Sequence, residues 1–500
     1  MSQPAIDAPS PFPTYDTSYL SLPKPLFSLV EPYGASSPQL LKLNEALAEV
    51  LGFNSQAMSD AQAAAMFSGN DLADGSQPLA MAYAGHQFGG FNPGLGDGRA
   101  LLLGEVRGRD GKRYDIQLKG SGQTPYSRQG DGRAALGPVL REYVMSEAMA
   151  ALGIPTTRAL AAVTTGDPVL RERVLPGAMV TRVASSHLRV GTFELAAFLS
   201  DRKVLSKLTD YALKRHYPER VDQGPSGLML LEAVIEAQAA LIARWMGVGF
   251  IHGVMNTDNC TISGETIDYG PCAFMDQYNP AQVYSSIDHQ GRYAFSNQPP
   301  IAHWNMAVLA QALLPLIAED EADAIKLAQA AVDRFPRAFQ TAYRAEMRRK
   351  LSLDTDPAKE ETDDQLSRDL LKAMAENEAD FTNTFRSLGR SVASAEPLLL
   401  QIGKNDRDWW DRWQARLTES SGDVSEKAAR LQSANPAIIA RNHRVEAMIA
   451  AGLEGDFAPF HAMVEALSKP FDDPGKDGEA IELSKPPQPD EVVHATFCGT

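Results

Sequence analysis

The residues best suited to chemistry lie in one stretch near the middle of the chain. His252-Gly-Val-Met-Asn-Thr-Asp-Asn259 places Asp258 directly before Asn259, and Asp268-Tyr-Gly follows shortly after. Amide and carboxylate oxygens are ligands that hard divalent cations such as Mg²⁺ prefer, so Asn259 and Asp268 are candidate metal ligands. Asp258 is a candidate proton acceptor, with an ordinary turn aspartate as the open alternative. His252 is interpreted as a buried structural histidine.

A lysine and a glutamate form a second candidate group. Lys119 ends the strand-like run Arg113–Lys119, and Glu142 lies in the helix predicted after Pro138. Strand alternation puts Asp115, Gln117 and Lys119 on the more polar face. We expect Lys119 and Glu142 to form an ion pair beneath a bound nucleotide, although a surface lysine is the alternative for Lys119 alone.

The order of these parts is that of a protein kinase. A glycine-rich run, Gly94-Leu-Gly-Asp-Gly-Arg99, precedes the lysine, the glutamate, the asparagine and the aspartate. In kinases the lysine holds phosphates, the glutamate holds the lysine, and the last two side chains bind metal ions. The kinase catalytic aspartate is replaced here by Val254, which accepts no proton. The pattern therefore predicts phosphate and metal binding without the usual base.

Two arginines add positive charge where strand character gives way to helix. Arg182 and Arg189 could hold a terminal phosphate through paired hydrogen bonds, or they could be surface arginines. Kinases do not need such a pair at this place. The pair therefore suggests a nucleotide that is seated differently.

The pattern of elements predicts an α+β, bilobal, protein-kinase-like fold with a small sheet-rich N-lobe and a large helical C-lobe. Strands are expected at Ala100–Val106, Arg113–Lys119 and 157–183, with a turn between the first two. Residues 38–66 have helical spacing, and 78–99 are interpreted as a glycine-rich loop. The predicted domains are an N-terminal extension (1–80), the N-lobe (81–190), the C-lobe (191–469) and a flexible, redox-capable tail (470–500).

Composition excludes several classes of function. The chain has 500 residues, 47 Lys and Arg against 63 Asp and Glu, and a formal net charge of −16. Such an acidic chain repels polyanions, so neither nucleic acid nor an anionic membrane is an expected partner. Three cysteines do not make a disulfide framework, and the N-terminus lacks the features of a signal peptide. The expected location is the cytoplasm.

Several longer motifs resemble the selenoprotein O family (UPF0061-type), protein adenylyltransferases with a pseudokinase fold. The matching stretches are Met81–Gly89, Gly94–Arg99, Gln117–Gly122, His252–Asn259, Asp268–Phe274 and Asp288–Tyr293. The resemblance implies that ATP binds inverted relative to kinases. It also implies transfer of AMP to Ser, Thr or Tyr hydroxyls of proteins with release of pyrophosphate, and Mg²⁺ or Mn²⁺ as cofactor. UMP transfer is a further activity of the family.

The resemblance also implies a set of site residues. Asp258 would accept the proton, Asn259 and Asp268 would hold the metal, and the nucleotide would contact Gly96, Gly98, Arg99, Lys119, Asp131, Gly132, Arg182, Arg189 and Asp268. Two alternatives from the residues alone stay open. One is a small-molecule phosphotransferase with Asp258 as base, and the other is an inactive ATP-binding scaffold, which Val254 favours.

Some members of the family carry selenocysteine or cysteine close to the C-terminus, and Cys498 fits that position. In relatives the partner cysteine can lie near the position of Tyr284, which is a tyrosine here. Cys272 is a possible partner instead, and reduced thiols are the alternative in a cytoplasm.

Overall fold

A computed structural model of the chain describes residues 10–394 and 406–497, and within them it is a mixed α and β protein. The strands are β1 (Phe27–Leu29), β2 (Gln39–Leu43), β3 (Leu79–Gln87), β4 (Gly90–Gly96), β5 (Ala100–Arg107), β6 (Arg113–Lys119), β7 (Ala134–Ala135), β8 (Arg158–Leu170), β9 (Val174–Ala184), β10 (Phe250–Ile251) and β11 (Ala273–Phe274). β10 and β11 form a small separate ladder, and the other strands make one antiparallel sheet.

Helices dominate after the sheet. They are α1 (Glu45–Leu51), α2 (Asp60–Phe67), α3 (Leu136–Ala151), α4 (Val190–Phe198), α5 (Arg202–His216), α6 (Ser226–Gly247), α7 (Gln298–Leu313), α8 (Glu321–Val332), α9 (Phe335–Leu351), α10 (Glu360–Glu376), α11 (Phe381–Ser394), α12 (Asp406–Thr418), α13 (Val424–Ala434), α14 (Asn442–Leu453), α15 (Ala458–Leu467) and α16 (Glu479–Ser484). The predicted hairpin of β5 and β6, the helix α3 and the strands β8 and β9 are confirmed.

The main sheet runs in the order β1-β3-β5-β6-β9-β8-β2, with β4 added beside β3 and β7 beside β9. The β6–β9 register sets Gln117 opposite Arg182. Directly opposed residues share a face of an antiparallel pair, and residues two apart on a strand share it too. Lys119 and Arg182 therefore project from the same face.

Helix α3 brings a carboxylate to that face. Val139, Tyr143 and Val144 are buried, as is Glu142 among them. A helix places residues three and four positions apart on one side, so burial of this apolar stripe fixes the direction of α3. Glu142 is thereby held against the strands that carry Lys119 and Arg182.

One expectation about local structure was wrong, and a second was right only in part. The glycine-rich stretch 78–99 is the hairpin of β3 and β4, which turns at Phe88 and Gly89, both with positive φ (50° and 86°). The stretch 38–66 is strand β2 followed by α1 and α2 rather than continuous helix. Asn44 starts α1, because its side chain accepts a hydrogen bond from the Leu47 amide.

The long apolar helix α6 is a core element. α6 is 22 residues long, and its most apolar window has a mean hydropathy of 1.5, enough by length and composition alone to cross a membrane. The protein buries 61% of that window, and α6 packs against α7 and α9. Burial within the fold accounts for its composition.

Candidate active site

The predicted ion pair between Lys119 and Glu142 is present. Lys119 Nζ lies 2.6 Å from Glu142 Oε2. The other carboxylate oxygen, Oε1, accepts hydrogen bonds from Arg182 Nε (2.8 Å) and Nη2 (2.5 Å). Burial raises the pKa of Glu142, but the charges of Arg182 and Lys119 outweigh it and hold that pKa below its ordinary value. Glu142 is therefore an anion that orients two cations.

Asp268 is the point where three cations meet. Its Oδ1 lies 2.9 Å from Lys119 Nζ and 2.7 Å from Arg182 Nη2, and its Oδ2 lies 2.8 Å from Arg189 Nη1. Burial raises the pKa of Asp268, but these cations hold it well below its usual range. Asp268 also has a left-handed backbone conformation (φ 62°). This conformation is uncommon for residues other than glycine and recurs at functional sites.

Asp258 has a different environment. It lies in a short 3₁₀ turn, Thr257–Asn259, and is 8% exposed. Its Oδ2 accepts a hydrogen bond from Gln87 Nε2 at 3.1 Å, while Arg189 donates only to its backbone carbonyl, at 2.7 Å. Burial raises the pKa of Asp258 to about 6, and Arg189 opposes that shift. A carboxylate with such a pKa can accept a proton near neutral pH.

Asn259 and His252 complete this loop. Asn259 Nδ2 donates to the Val254 carbonyl (3.1 Å), which leaves the amide oxygen available as a ligand. His252 is buried, its Nε2 is hydrogen-bonded to the Ile267 carbonyl (2.8 Å), and its ring stacks on Trp245. The structural interpretation of this histidine is confirmed.

A cavity of about 250 Å³ opens beside the charged cluster. Its walls include Arg99, Lys119, Glu142 and Tyr269 from the sheet side and from the segment after Asp268, together with Glu446 from α14. A pocket that combines apolar walls with a few charged groups is typical of a small-molecule site. Lys119 and Glu142 of the charged cluster thus lie in the wall of a ligand-sized space.

The comparisons with known proteins agree on one family. The sequence model described as protein adenylyltransferase SelO matches residues 13–468. Among curated proteins, the protein nucleotidyltransferase YdiU of Methylorubrum populi is 53% identical over 498 residues, covering 97% of this chain and 99% of the relative. The YdiU proteins of Rhodopseudomonas palustris and Rhizobium etli are each 53% identical over 492 residues, covering 97% of this chain.

The chain belongs to the SelO family. Its fold brings Lys119, Arg182, Arg189 and Asp268 into direct contact, and Arg189 links them to the Asp258 carbonyl. Of the other residues that the resemblance implies, Asn259 lies next to Asp258 in the same turn. The rest lie in two glycine-rich segments and are Gly96, Gly98, Arg99, Asp131 and Gly132.

Those segments are shaped by close packing. A Cβ on Gly96 would lie 2.4 Å from a ring atom of Tyr126, and one on Gly98 would lie 2.8 Å from the Tyr126 carbonyl oxygen. Gly132 has φ of 66°, and a Cβ there would lie 2.0 Å from the Gly122 carbonyl oxygen. These glycines are thus required by contacts within the protein, whatever they contribute to a nucleotide.

Asp131, implied as a nucleotide contact, is paired in this structure. Arg171 donates to its two oxygens at 2.9 and 3.2 Å, and these hydrogen bonds lower the pKa of Asp131. The Arg133 amide also donates to it. This arrangement fixes the end of the 120–132 loop.

The oxygen atoms that Asn259 and Asp268 could offer as ligands suit a hard cation. No cluster of three His, Cys, Asp or Glu side chains suited to a metal lies within residues 10–394 and 406–497. Asn259 and Asp268 offer two oxygen donors, and Mg²⁺ is commonly held by one or two protein groups together with substrate phosphates. The residues present therefore fit Mg²⁺ or Mn²⁺.

The C-terminal segment reaches the same cavity. Val493, Ala495 and Phe497 line it. Thr496 is buried, with its amide 2.7 Å from the Tyr284 carbonyl and its Oγ1 2.6 Å from the Pro271 carbonyl. Cys498 lies outside the described residues, whereas Cys272 is a buried free thiol whose pKa burial raises to about 11.

Sequence reasoning missed two polar residues of the site. Gln87 contacts Asp258, and Asp97 is buried between Gln117 (3.0 Å) and Arg189 (3.8 Å). Each of them lies within a stretch that carries the family resemblance, and this resemblance is the sequence feature that could have pointed to them. Their partners are far away in sequence, so spacing alone did not reveal their contacts.

Proposed function

We propose that the chain transfers AMP from ATP to Ser, Thr or Tyr hydroxyls of proteins and releases pyrophosphate. The observation that carries this proposal is the convergence of Lys119, Arg182 and Arg189 on the half-buried Asp268, with distances of 2.7 to 2.9 Å. Glu142 pairs with Lys119 and Arg182, and Asp97 lies 3.8 Å from Arg189, so these cations are already matched by carboxylates in the protein. A triphosphate with its bound metal ion would take over some of the contacts that these cations make with Asp268.

The buried positions of the arginines support an inverted nucleotide. Arg182 and Arg189 are 2% and 3% exposed, so phosphates that they hold lie deep in the molecule. The α-phosphate is then on the side of Asp258, which accepts the proton from the attacking hydroxyl. The new bond forms between that oxygen and the α-phosphorus, and the bond to pyrophosphate breaks. Phosphoryl-type transfer depends chiefly on positioning and charge, which suits a site with Val254 in place of the kinase base.

The cofactor in this proposal is Mg²⁺ or Mn²⁺, held by Asn259 and Asp268, which would offset the charge of the phosphates. Arg189 would keep the Asp258 loop next to those ligands, because it donates to the Asp258 carbonyl and to Asp268. Lys119 would be kept in place by Glu142 when Asp268 turns toward the metal. UMP transfer from UTP would use the same phosphate contacts.

We also propose a kinase-like bilobal arrangement, with residues 81–190 as the N-lobe, 191–469 as the C-lobe, 1–80 as an N-terminal extension and 470–500 as a tail. The support is the sheet-rich first part, the helical remainder and the site residues drawn from both. A cytoplasmic location is supported by the free thiols of Cys260 and Cys272.

The test uses ATP labelled at either the α- or the γ-phosphate and a desalted bacterial extract as acceptor. We expect label from the α-phosphate only, and modified peptides that gain the mass of AMP. Asp258→Asn should slow transfer with little change in ATP affinity, whereas Arg189→Met should weaken ATP binding. Transfer of γ-label would instead support a phosphotransferase, and binding without any transfer would support an inactive scaffold.

A further inference from the structure

The end of the stretch Met81–Gly89 is hydrogen-bonded to the loop that carries Asp258. Three consecutive residues of the β3–β4 hairpin make hydrogen bonds to three consecutive loop residues. The His86 amide donates to Thr257 Oγ1 (2.6 Å), Gln87 Nε2 to Asp258 Oδ2 (3.1 Å), and the Phe88 amide to Asn256 Oδ1 (3.0 Å). Two of these bonds fix the loop, and the third acts on the reactive side chain itself.

The same strand packs closely against the other oxygen of Asp258. Gly85 lies two residues before Gln87, so both face the same side of β3. A Cβ at Gly85 would lie 3.0 Å from Asp258 Oδ1 and 3.1 Å from Asp258 Cβ, tighter than nearly all real contacts. Oδ1 is buried and has no hydrogen-bond partner among the described residues. Gln87 thus holds one oxygen by a hydrogen bond, and Gly85 allows β3 to approach the other oxygen with no side chain between them.

Gln87 donates its hydrogen bond to Asp258 from a neutral amide and not from a cation. Both oxygens of Asp268 are paired with cations, whereas Asp258 receives only an amide donor, since Arg189 donates to its backbone carbonyl. A neutral donor fixes the direction of a carboxylate without pairing its charge with a cation.

We propose that Gln87 is a positioning residue that holds the Asp258 carboxylate in the orientation in which it receives the proton of the acceptor hydroxyl, on a strand that Gly85 allows to approach the loop closely. This inference rests on the proposed function, in which Asp258 accepts the proton. In this proposal Gln87 contacts neither ATP nor the substrate hydroxyl, and it acts by fixing the position of the Asp258 carboxylate.

The test compares Gln87→Met, which keeps the length of the side chain but removes the donor, with the wild type in α-labelled transfer to a desalted bacterial extract. We expect kcat to fall about ten- to a hundredfold, as for loss of a hydrogen bond to a charged group, with the KM for ATP unchanged. Gln365→Met is the matched control. Gln365 Nε2 also donates to an aspartate (Asp369, 2.6 Å), on an exposed helix remote from the site, and its loss should leave kcat unchanged.

A merely structural role is separated by combining variants. In an Asp258→Asn background, Gln87→Met should cause no further loss, because the group that it positions is already gone. An equal loss in both backgrounds, or a rise in the KM for ATP, would overturn the proposal. Gly85→Ala gives a second variant, expected to lower kcat at constant KM through its contact with Oδ1, if thermal unfolding shows that Gln87→Met does not fold.

A crystal structure of Gln87→Met separates failure of this inference from failure of the proposed function. Asp258 should leave the orientation that it has in the wild type, and an unmoved carboxylate would refute the positioning role. If the wild type transfers no α-label, the proposed function fails, and this structure still decides whether Gln87 orients Asp258.

Discussion

Replacement of Glu142 by glutamine would test how much the charged cluster depends on one carboxylate. Glu142 is 5% exposed and accepts three hydrogen bonds, one from Lys119 and two from Arg182. A glutamine keeps the shape but has one acceptor oxygen and an NH₂ group. That NH₂ must face either Lys119 or Arg182, and both are donors only.

The expected loss of folding free energy depends on the ion pairs that Lys119 and Arg182 keep after the substitution. Removal of one partner from a buried ion pair costs about 3–5 kcal/mol when the other charge is left alone. Lys119 and Arg182 both retain Asp268, at 2.9 and 2.7 Å, so neither cation is abandoned. We therefore expect Glu142→Gln to cost about 2–3 kcal/mol of folding free energy, at or just below the low end of that range.

The pH dependence gives an independent check. The pKa of Glu142 in the folded protein is below its ordinary value of 4.5. A depressed carboxyl pKa contributes stability that is complete above the unfolded pKa and is lost as the pH falls through the folded one. The stability gap between wild type and Glu142→Gln should therefore be constant near neutral pH and should close in acid below about pH 4.5.

Denaturant unfolding of both proteins at neutral and acidic pH, together with ATP binding, measures these effects. Glu236→Gln is the control, because it removes an ion pair with Arg220 (2.7 Å) whose carboxylate is 62% exposed, and such a pair contributes about 0–1 kcal/mol. A variant as stable as the control that binds ATP normally would show that Glu142 does not organise the cluster.

Three further predictions concern the metal, the loop and the core. Asp268→Asn should abolish the stimulation of transfer by Mg²⁺, measured by titrating the metal; normal stimulation would remove Asp268 from the metal site. Gly132→Ala should weaken ATP binding, measured calorimetrically, because a Cβ would strike the Gly122 carbonyl at a φ of 66°; unchanged affinity would contradict this. Burial lowers the pKa of Lys350 to about 7, so the unfolded chain binds more protons than the folded one between that pH and about 10.5. Unfolding free energy should rise by up to about 1 kcal/mol per pH unit there, and Lys350→Met should abolish the rise; an identical slope in both proteins would contradict it.

Strand alternation and helical spacing predicted those contacts of the site that are made between consecutive elements of the chain. Lys119 at a strand end and Glu142 on the following helix meet because β6 and α3 are regular elements, whose faces are set by alternation and helical spacing. The β6–β9 register that adds Arg182 could not be predicted, because strand pairing over such a separation is decided by the packing of the whole sheet.

The misassigned segments have a common cause. The β3–β4 hairpin is rich in glycine, which is depleted in strands, so propensity favoured a loop. Its β3 strand is nevertheless buried over most of its length, and tertiary packing outweighed propensity. Leu40 and Leu43 likewise fit a helical spacing but lie on β2, where they pair with β8. Burial by distant elements is information that a local window does not contain.

The two aspartates of the site, ten residues apart, have different electrostatic environments. Arg189 donates its side chain to the Asp268 carboxylate but only to the backbone carbonyl of Asp258. Arg182, Lys119 and Arg189 together hold the pKa of Asp268 low, which suits its proposed role as a metal ligand, whereas burial raises the pKa of Asp258 to about 6. Environments that drive two carboxyl pKa values apart are how enzymes separate a permanently charged group from one that exchanges protons. The same bonds tie the loop of Asp258 to Asp268. A nucleotide that attracts Arg189 would therefore act on the metal ligand and on the proton acceptor together.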